Sequence, residues 1–362
     1  MPLEVIRFLR FPLSVAILVI HAHFSEIAAG GRQIFDAADF PVYGSVSYIL
    51  SEIVARVAVP MFFAISGYLF FRNAPRPDMT VYTQKIRRRL RSLVVPYICW
   101  NLISIALFWA AQSFLPQMMA GVNKPVADYS FADWCSAFWN TSRINPEVAG
   151  AGYPTAYQFW FIRDLFLLQL FSPLVYMAVR RLKFWAVAVL GVLWLGGFKS
   201  GTYMVNVQAM FFFTAGAYLG INGMGSFSRN VPWYVFAVVY AAIVAAEYAG
   251  LQNVFRPYLH RLGLAWGVAT VYVCSAACLG KTEKQPRVPS AGFSFFVFAF
   301  FNMPVAFVTR FMFQTLCPSS EAAVLAVYFA IPVMTVLAAA VVYFPLRRLC
   351  PALADVLVGW RK

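Results

Sequence analysis

Arg10 and His21 bracket an unbroken uncharged stretch, FPLSVAILVI, at residues 11–20. An imidazole that titrates near neutrality can serve as a general base, and a permanently charged guanidinium can hold a carboxylate or phosphate. On a helix the eleven-residue spacing comes to about 20° past three full turns, so both side chains share one face about 16 Å apart. One would lie near a membrane surface and the other deeper or towards the far side. Ionisable groups inside a span are costly enough to mark function when they face a bundle interior. Ser14 and Ser25 fall within about 60° of Arg10 and extend the polar seam. His23, about 200° round from His21, cannot share its role on that face, and Glu26, about 140° away, reaches the imidazole only if the helix unwinds.

The elements that must position these groups are membrane spans. The chain is 61% hydrophobic and 12% charged, with 36 Phe, whereas soluble domains carry roughly twice that charge. This excludes an ordinary soluble enzyme and predicts an all-α, polytopic transmembrane bundle forming one domain over 1–362. Apolar runs long enough to span predict ten segments, at 5–29, 46–71, 92–115, 157–179, 184–198, 203–221, 231–250, 260–280, 289–310 and 321–346. With the N-terminus cytoplasmic, 20 of the 29 Lys and Arg fall on the cytoplasmic side and seven outside. That asymmetry places both termini inside, and the net charge of +15 becomes topology, with no need of nucleic acid. The first segment lacks a cleavage pattern and is read as a retained span.

The cytoplasmic charge concentrates at Lys85-Ile-Arg-Arg-Arg-Leu-Arg91. Arg88 and Arg91 share a helix face, which suits a phosphorylated ligand, with Arg89 and Lys85 beside them; the alternative is an anchor on anionic lipid. Ser66-Gly67 offers a hydroxyl and close backbone approach in the second span, or a helix-packing notch. Glu52 and Arg56 are spaced for an ion pair, and Arg163-Asp164 follows Trp160 in the fourth segment; these groups orient His21, bind a substrate or simply pair. The longest connection, residues 116–156, is external. Its Tyr129, Phe131, Trp134, Phe138, Trp139 and Tyr153, mixed with amides and carboxylates, suit a sugar-binding surface or a half-helix in the interface. The cysteines and histidines form no metal-ligand cluster. Cys135 and Cys317 are both external, and spacing alone does not say whether they meet.

Several segments together resemble the acyltransferase 3 family of integral membrane proteins. Arg10 and His21 match its arginine, ten residues, histidine signature. Val59-Pro-Met-Phe-Phe-Ala-Ile-Ser-Gly-Tyr-Leu69 resembles its Phe-rich segment, and Arg88-Arg89-Leu-Arg91 with Val95-Pro96-Tyr97 its Arg-x-x-Arg and Pro-Tyr elements. Phe159-Trp-Phe-Ile-Arg-Asp-Leu165 is similar to its tryptophan-containing fourth span. The resemblance is strongest in the first half of the chain and is nearest the branch of exported-glycan O-acetyltransferases. It implies transfer of an acyl group, usually acetyl, from cytoplasmic acyl-CoA to a hydroxyl of an exported or cell-surface carbohydrate or lipid-linked glycan, at the inner (plasma) membrane, without a tightly bound cofactor or metal. It assigns His21 with Arg10 to catalysis, Arg10 also to the donor phosphates with Arg88, Arg91, Arg89 and Lys85, and Ser66 and Gly67 to the donor arm. The acceptor or surrounding shell would draw on Ser25, Glu26, Glu52, Arg56, Trp160, Arg163, Asp164 and Asn302. One departure stands out: Ser294-Phe-Phe-Val-Phe-Ala-Phe-Phe-Asn302 ends in Asn where many members carry His, so the position can hold a hydroxyl but cannot exchange a proton. A transporter or flippase of a polar lipid or glycan shares the spans and buried charges but predicts repeated halves or broken helices. A membrane sensor or scaffold would keep the bundle without the chemistry.

Overall fold

A computed structural model describes residues 3–29, 32–72, 78–114, 123–145, 152–201, 205–223, 232–250, 254–280 and 288–361. Arg76, Glu147, Arg229, Lys281, Lys284, Arg287 and Lys362, and with them part of the expected charge asymmetry and of the 116–156 loop, lie outside these residues.

The architecture is an all-α bundle with one small hairpin among the described residues. Its helices are α1 (Leu3–His21), α2 (Pro41–Phe71) and α3 (Met79–Phe114), α4 (Phe131–Trp139), α5 (Trp160–Leu170) and α6 (Ser172–Leu182). Then come α7 (Phe184–Leu195), α8 (Val207–Ile221), α9 (Trp233–Ala249) and α10 (Arg256–Gly280). The chain closes with α11 (Ala291–Phe300), α12 (Asn302–Leu316), α13 (Glu321–Leu349) and α14 (Pro351–Leu357). All ten apolar segments are helical over most of their length. Helices α2, α3, α10 and α13 are each long and apolar enough to cross a bilayer, and the α5–α6 segment does so with a 63° bend.

Helix α1 is the axis. Val5, Ile6, Leu9, Leu13, Ile17, Leu18 and Ile20 are buried at helical spacing, against α2, α10, α11 and α13. The α2–α8 crossing is tighter still. A Cβ at Gly67 would stand 2.0 Å from the Phe213 carbonyl oxygen, and one at Gly216 1.9 Å from that of Ala64. The two backbones touch through small residues, as helices in lipid do when dispersion rather than water drives their association. Gly67 is therefore a packing notch.

The first segment is shorter than its hydropathy. The helix stops at His21, and the chain turns into β1 (Glu26–Ala29), antiparallel to β2 (Arg32–Asp36). Tertiary capture explains the stop. The Tyr43 hydroxyl receives the Phe24 N–H at 3.2 Å and donates to the Phe24 carbonyl at 3.0 Å, while Ile27 and Phe35 bury on the hairpin's inner side. Ser25 thus leaves the α1 stripe, its carbonyl accepting Ala37 N–H at 2.7 Å, and Glu26 is exposed on β1.

Two wide π-helical turns interrupt the long helices, at Tyr48–Val54 in α2 and Leu90–Val94 in α3. Such turns recur at functional sites because they re-aim side chains without ending a helix. The first brings the Ser51 hydroxyl onto the Val19 carbonyl at 2.6 Å and the Tyr328 hydroxyl at 2.8 Å, locking α2 to α1 and α13. The short α4 carries a Ser130–Asp133 capping box, and Asp133 also takes Lys124 at 2.7 Å and Arg143 at 2.8 Å. Those donors hold its carboxyl well below the usual range, the Lys124 contact foremost. Phe131 at 84% and Trp134 at 38% exposure point outward. All six cysteines, Cys135 and Cys317 included, are free thiols.

A Gly67→Val substitution should destabilise the bundle by more than about 3 kcal/mol, the upper range for overpacking, since backbone rather than a flexible side chain blocks the new methyls. Ser66→Val, one residue away, should cost far less; thermal melts of the detergent-solubilised protein read both.

Candidate functional site

Helix α1 carries Arg10 on its inner turns and His21 at its end, and the surroundings of the two differ completely. Around Arg10 lies a cavity of about 430 Å³. Three guanidinium groups converge on it, Arg10 from α1, Arg89 from α3 and Arg361 from beyond α14. Ser14, Ser66, Ser92 and Ser294 supply hydroxyls, and Phe62, Phe161, Phe295 and Phe298 form an apolar inner wall. Ser14 returns its own proton to the Arg10 carbonyl at 3.0 Å. None of the three arginines has a carboxylate in ion-pair range among the described residues. Burial, with Arg89 and Arg10 nearby, pushes the Arg361 guanidinium down to about 9. Like charges held together in a low-dielectric pocket are matched only when an anion joins them.

A vestibule of about 550 Å³, lined by Lys85, Arg88, Arg89 and Arg91, shares Leu69, Arg89, Ser92, Gly359 and Trp360 with the inner cavity. The wide turn at Leu90–Val94 sets this division: Arg88 and Arg91 face the vestibule, while Arg89 reaches both spaces. Lys85 is committed elsewhere, donating to the Phe70 carbonyl at 2.6 Å above that ring, and Arg91 lies 4.0 Å over the Trp360 indole.

Arg361 was not legible as a site residue, because what carries it is a tertiary hook. Trp100 Nε1 donates to the Leu357 carbonyl at 3.0 Å and fixes α14. Gly359 then turns with φ +64°, so close to α3 that a Cβ would sit 2.4 Å from the Ser92 carbonyl oxygen. Arg361 emerges over the Phe295 ring at 3.9 Å and donates to the Val358 carbonyl at 2.6 Å. The local signal was only the Gly-Trp-Arg triplet after a helix.

At the other end of α1, His21 Nδ1 lies 3.1 Å from the Tyr157 hydroxyl. The imidazole stacks on Phe301 at 4.9 Å, and Phe301 meets Tyr157 edge-on at 6.3 Å. Tyr157, one turn before Trp160, is a site residue the motifs did not single out. His23 turns away to Ser47 Oγ at 3.0 Å. A further cavity of about 410 Å³ is lined by Ile20, the neighbour of His21, and by Tyr48, Glu52, Arg56, Trp160, Arg256 and His260 among others. Glu52 and Arg56 pair at 2.6 Å on its wall.

The two cavities share walls. Trp160 lines one and Phe161 the other on α5; Val59 and Phe62 divide in the same way on α2.

Other expected residues lie elsewhere. Gly67 serves the α2–α8 contact, whereas its neighbour Ser66 lines the inner cavity. Ser25 and Glu26 sit on the hairpin side, and His21 bonds Tyr157 instead of Glu26. Arg163 and Asp164 form a buried pair at 2.9 Å. That pair clamps the connection before α5: Arg163 donates to the carbonyls of Trp139 at 2.6 Å and Gly152 at 2.8 Å, and Asp164 accepts Asn206 N–H at 3.3 Å. They reach loop backbone, not the imidazole. Asn302 is half-buried beside Phe301.

A helical membrane bundle with a cationic pocket and a partly buried imidazole on one axial helix fits an integral membrane acyltransferase. A family model described as an acyltransferase domain matches residues 6–344, and the chain belongs to the acyltransferase 3 family. It is similar to the succinoglycan biosynthesis protein ExoH of Rhizobium meliloti (strain 1021), 23% identical over 222 residues that cover 58% of this chain and 55% of that protein. The chain thus spans about half the length of the curated relative it matches. No solved structure matches it significantly.

Arg361→Met should weaken binding of pyrophosphate, read as thermal stabilisation of the purified protein, by about ten- to a hundredfold, the loss expected for one charge-assisted contact. Arg348→Met, at an exposed position outside both cavity linings, should leave it unchanged.

Proposed function

We propose that this acyltransferase takes an acyl group, acetyl in the first instance, from cytoplasmic acyl-CoA and delivers it to a hydroxyl of an exported or cell-surface carbohydrate at the plasma membrane, with His21 as general base. The observation that carries the reading is the pair of cavities along α1, one cationic around Arg10 and one of mixed charge reaching Ile20 next to His21, with α2 and α5 contributing to the walls of both. An anionic nucleotide with a long neutral arm suits the first: phosphates at Arg88, Arg91, Arg89, Arg10 and Arg361, and the pantetheine along the Phe62, Phe161 and Phe298 wall. The excess of cations at the Arg10 end supports a cytoplasmic position for that end. The name of the similar protein, which concerns succinoglycan biosynthesis, supports a glycan acceptor.

The chemistry balances with one base. With Nδ1–H donating to the Tyr157 oxygen, the Nε2 lone pair is free to take the acceptor hydroxyl proton. The alkoxide oxygen bonds to the thioester carbonyl carbon, the C–S bond breaks, and the proton returns to the thiolate, giving ester and free CoA. Tyr157 and the Phe301 ring fix the plane of the imidazole; Asn302 can hold a hydroxyl but not move its proton.

His21→Ala should lower CoA release from acetyl-CoA by about 10²–10⁴-fold, the usual contribution of a general base, with thermal stabilisation by acetyl-CoA retained. Tyr157→Phe should cost about tenfold or less, one hydrogen bond. Undiminished CoA release by His21→Ala in purified protein would sink the assignment.

A further inference from the structure

The cavity on the His21 side contains more than the Glu52–Arg56 pair. It is formed by five elements: Ile20 from α1, Tyr48 to Val59 from α2, Trp160 from α5, Gln208 from α8, and Arg256 to Leu264 from α10. At about 410 Å³ it falls within the range of small-ligand sites, roughly 300–1,000 Å³. Its charged groups are unequally matched. Arg56 is paired with Glu52, and His260 Nδ1 with the buried Glu247 at 2.8 Å. Arg256 is the exception: its guanidinium lies 5.2 Å over the Tyr48 ring, with no carboxylate in ion-pair range among the described residues. The Tyr48 hydroxyl is itself buried without a hydrogen-bond partner, as is Glu247 Oε2 behind His260. A wall with an aromatic face at Trp160, an amide at Gln208 and one planar unmatched cation is chemically specific. Aromatic faces cover the apolar side of a sugar ring, amides and hydroxyls meet its edges, and a stacked guanidinium offers parallel donors to a carboxylate.

We propose that this cavity is the acceptor subsite, and that it selects a sugar bearing a carboxylate, held at Arg256 with its ring against Trp160. This rests on the glycan-acceptor reading above and adds the acceptor's charge. The hydroxyl to be acylated then lies towards Ile20 and the end of α1, where His21 stands, and α5, which lines this cavity with Trp160 and the cationic one with Phe161, stands between it and the thioester.

The test uses the full chain in detergent, with trigalacturonate and a neutral galactotriose as probes. Binding is followed by tryptophan fluorescence and acyl transfer by ester formation from acetyl-CoA. Trigalacturonate should bind at least about tenfold tighter than the neutral trisaccharide, the worth of one charged contact. Arg256→Gln should abolish that preference without altering stabilisation by acetyl-CoA, and Arg256→Lys should restore part of it; unchanged melting temperatures certify folding. Equal binding of the two sugars, tighter binding of galactose 1-phosphate than of trigalacturonate, or an undiminished preference in Arg256→Gln overturns the proposal. Failure of the enzyme reading is separate: it shows as absent acetyl-CoA binding and cleavage, and the sugar-binding comparison still decides the subsite.

Discussion

Three positive charges without a counter-ion among the described residues are the constraint around which the Arg10 end is built. Arg10, Arg89 and Arg361 come from the axial helix, the third helix and the segment after α14, and Arg361 is supported by a contact that does not neutralise it. Phe295 lies under Arg361, and Trp360 under neighbouring Arg91. Aromatic faces ease the burial of a cation by about 0.5–2 kcal/mol without quenching its charge. The hook at Gly359 forces this gathering, since its backbone closeness to Ser92 leaves Arg361 no other direction. Folding energy from the apolar core is thereby committed to a pocket completed by an anion.

The same economy of distance governs the passage between the ends of α1. A bilayer core is about 30 Å thick, and a donor on one side is remote from an acceptor on the other unless the protein thins the barrier. Under the proposed reaction the two cavities walled by α2 and α5 would shorten that distance from both ends of α1. Phe161 packs on Phe63 at 4.7 Å and Phe298 at 6.1 Å, so the α5 wall is apolar and close-packed there. Under the proposed reaction this density protects the thioester from hydrolysis.

What could be read from the sequence was what local periodicity determines. Arg10 and His21 share one helix, so counting residues placed them, and the ten apolar segments followed from hydropathy. The end of α1 was illegible because Ala22, Phe24 and Ile27–Ala29 continue the apolar run; only the Tyr43 hydroxyl, which closes on Phe24, ends the helix. Ser66 and Gly67 were indistinguishable as neighbours, yet 100° of helix sends one to the cavity and the other into α8. Arg361 and Tyr157 depend on contacts across most of the chain, and Arg163–Asp164 looked equally suited to chemistry and to structure until the carbonyls of Trp139 and Gly152 claimed it.

The early end of α1 has a consequence for the imidazole. His21 occupies the last turn, where the unsatisfied carbonyls of a helix concentrate partial negative charge and favour a cation. Under the proposed reaction the form that benefits is the imidazolium, present once the acceptor proton has been taken. A helix continuing to residue 29 would have removed that field and left His21 mid-span, with only the Phe301 face to ease the charge. The hairpin that cuts α1 short therefore does more than shape the surface. By ending the helix at His21, it would set the helix's own dipole behind the proposed proton transfer, and with Tyr157 on the Nδ1 side Nε2 is the nitrogen left for the substrate.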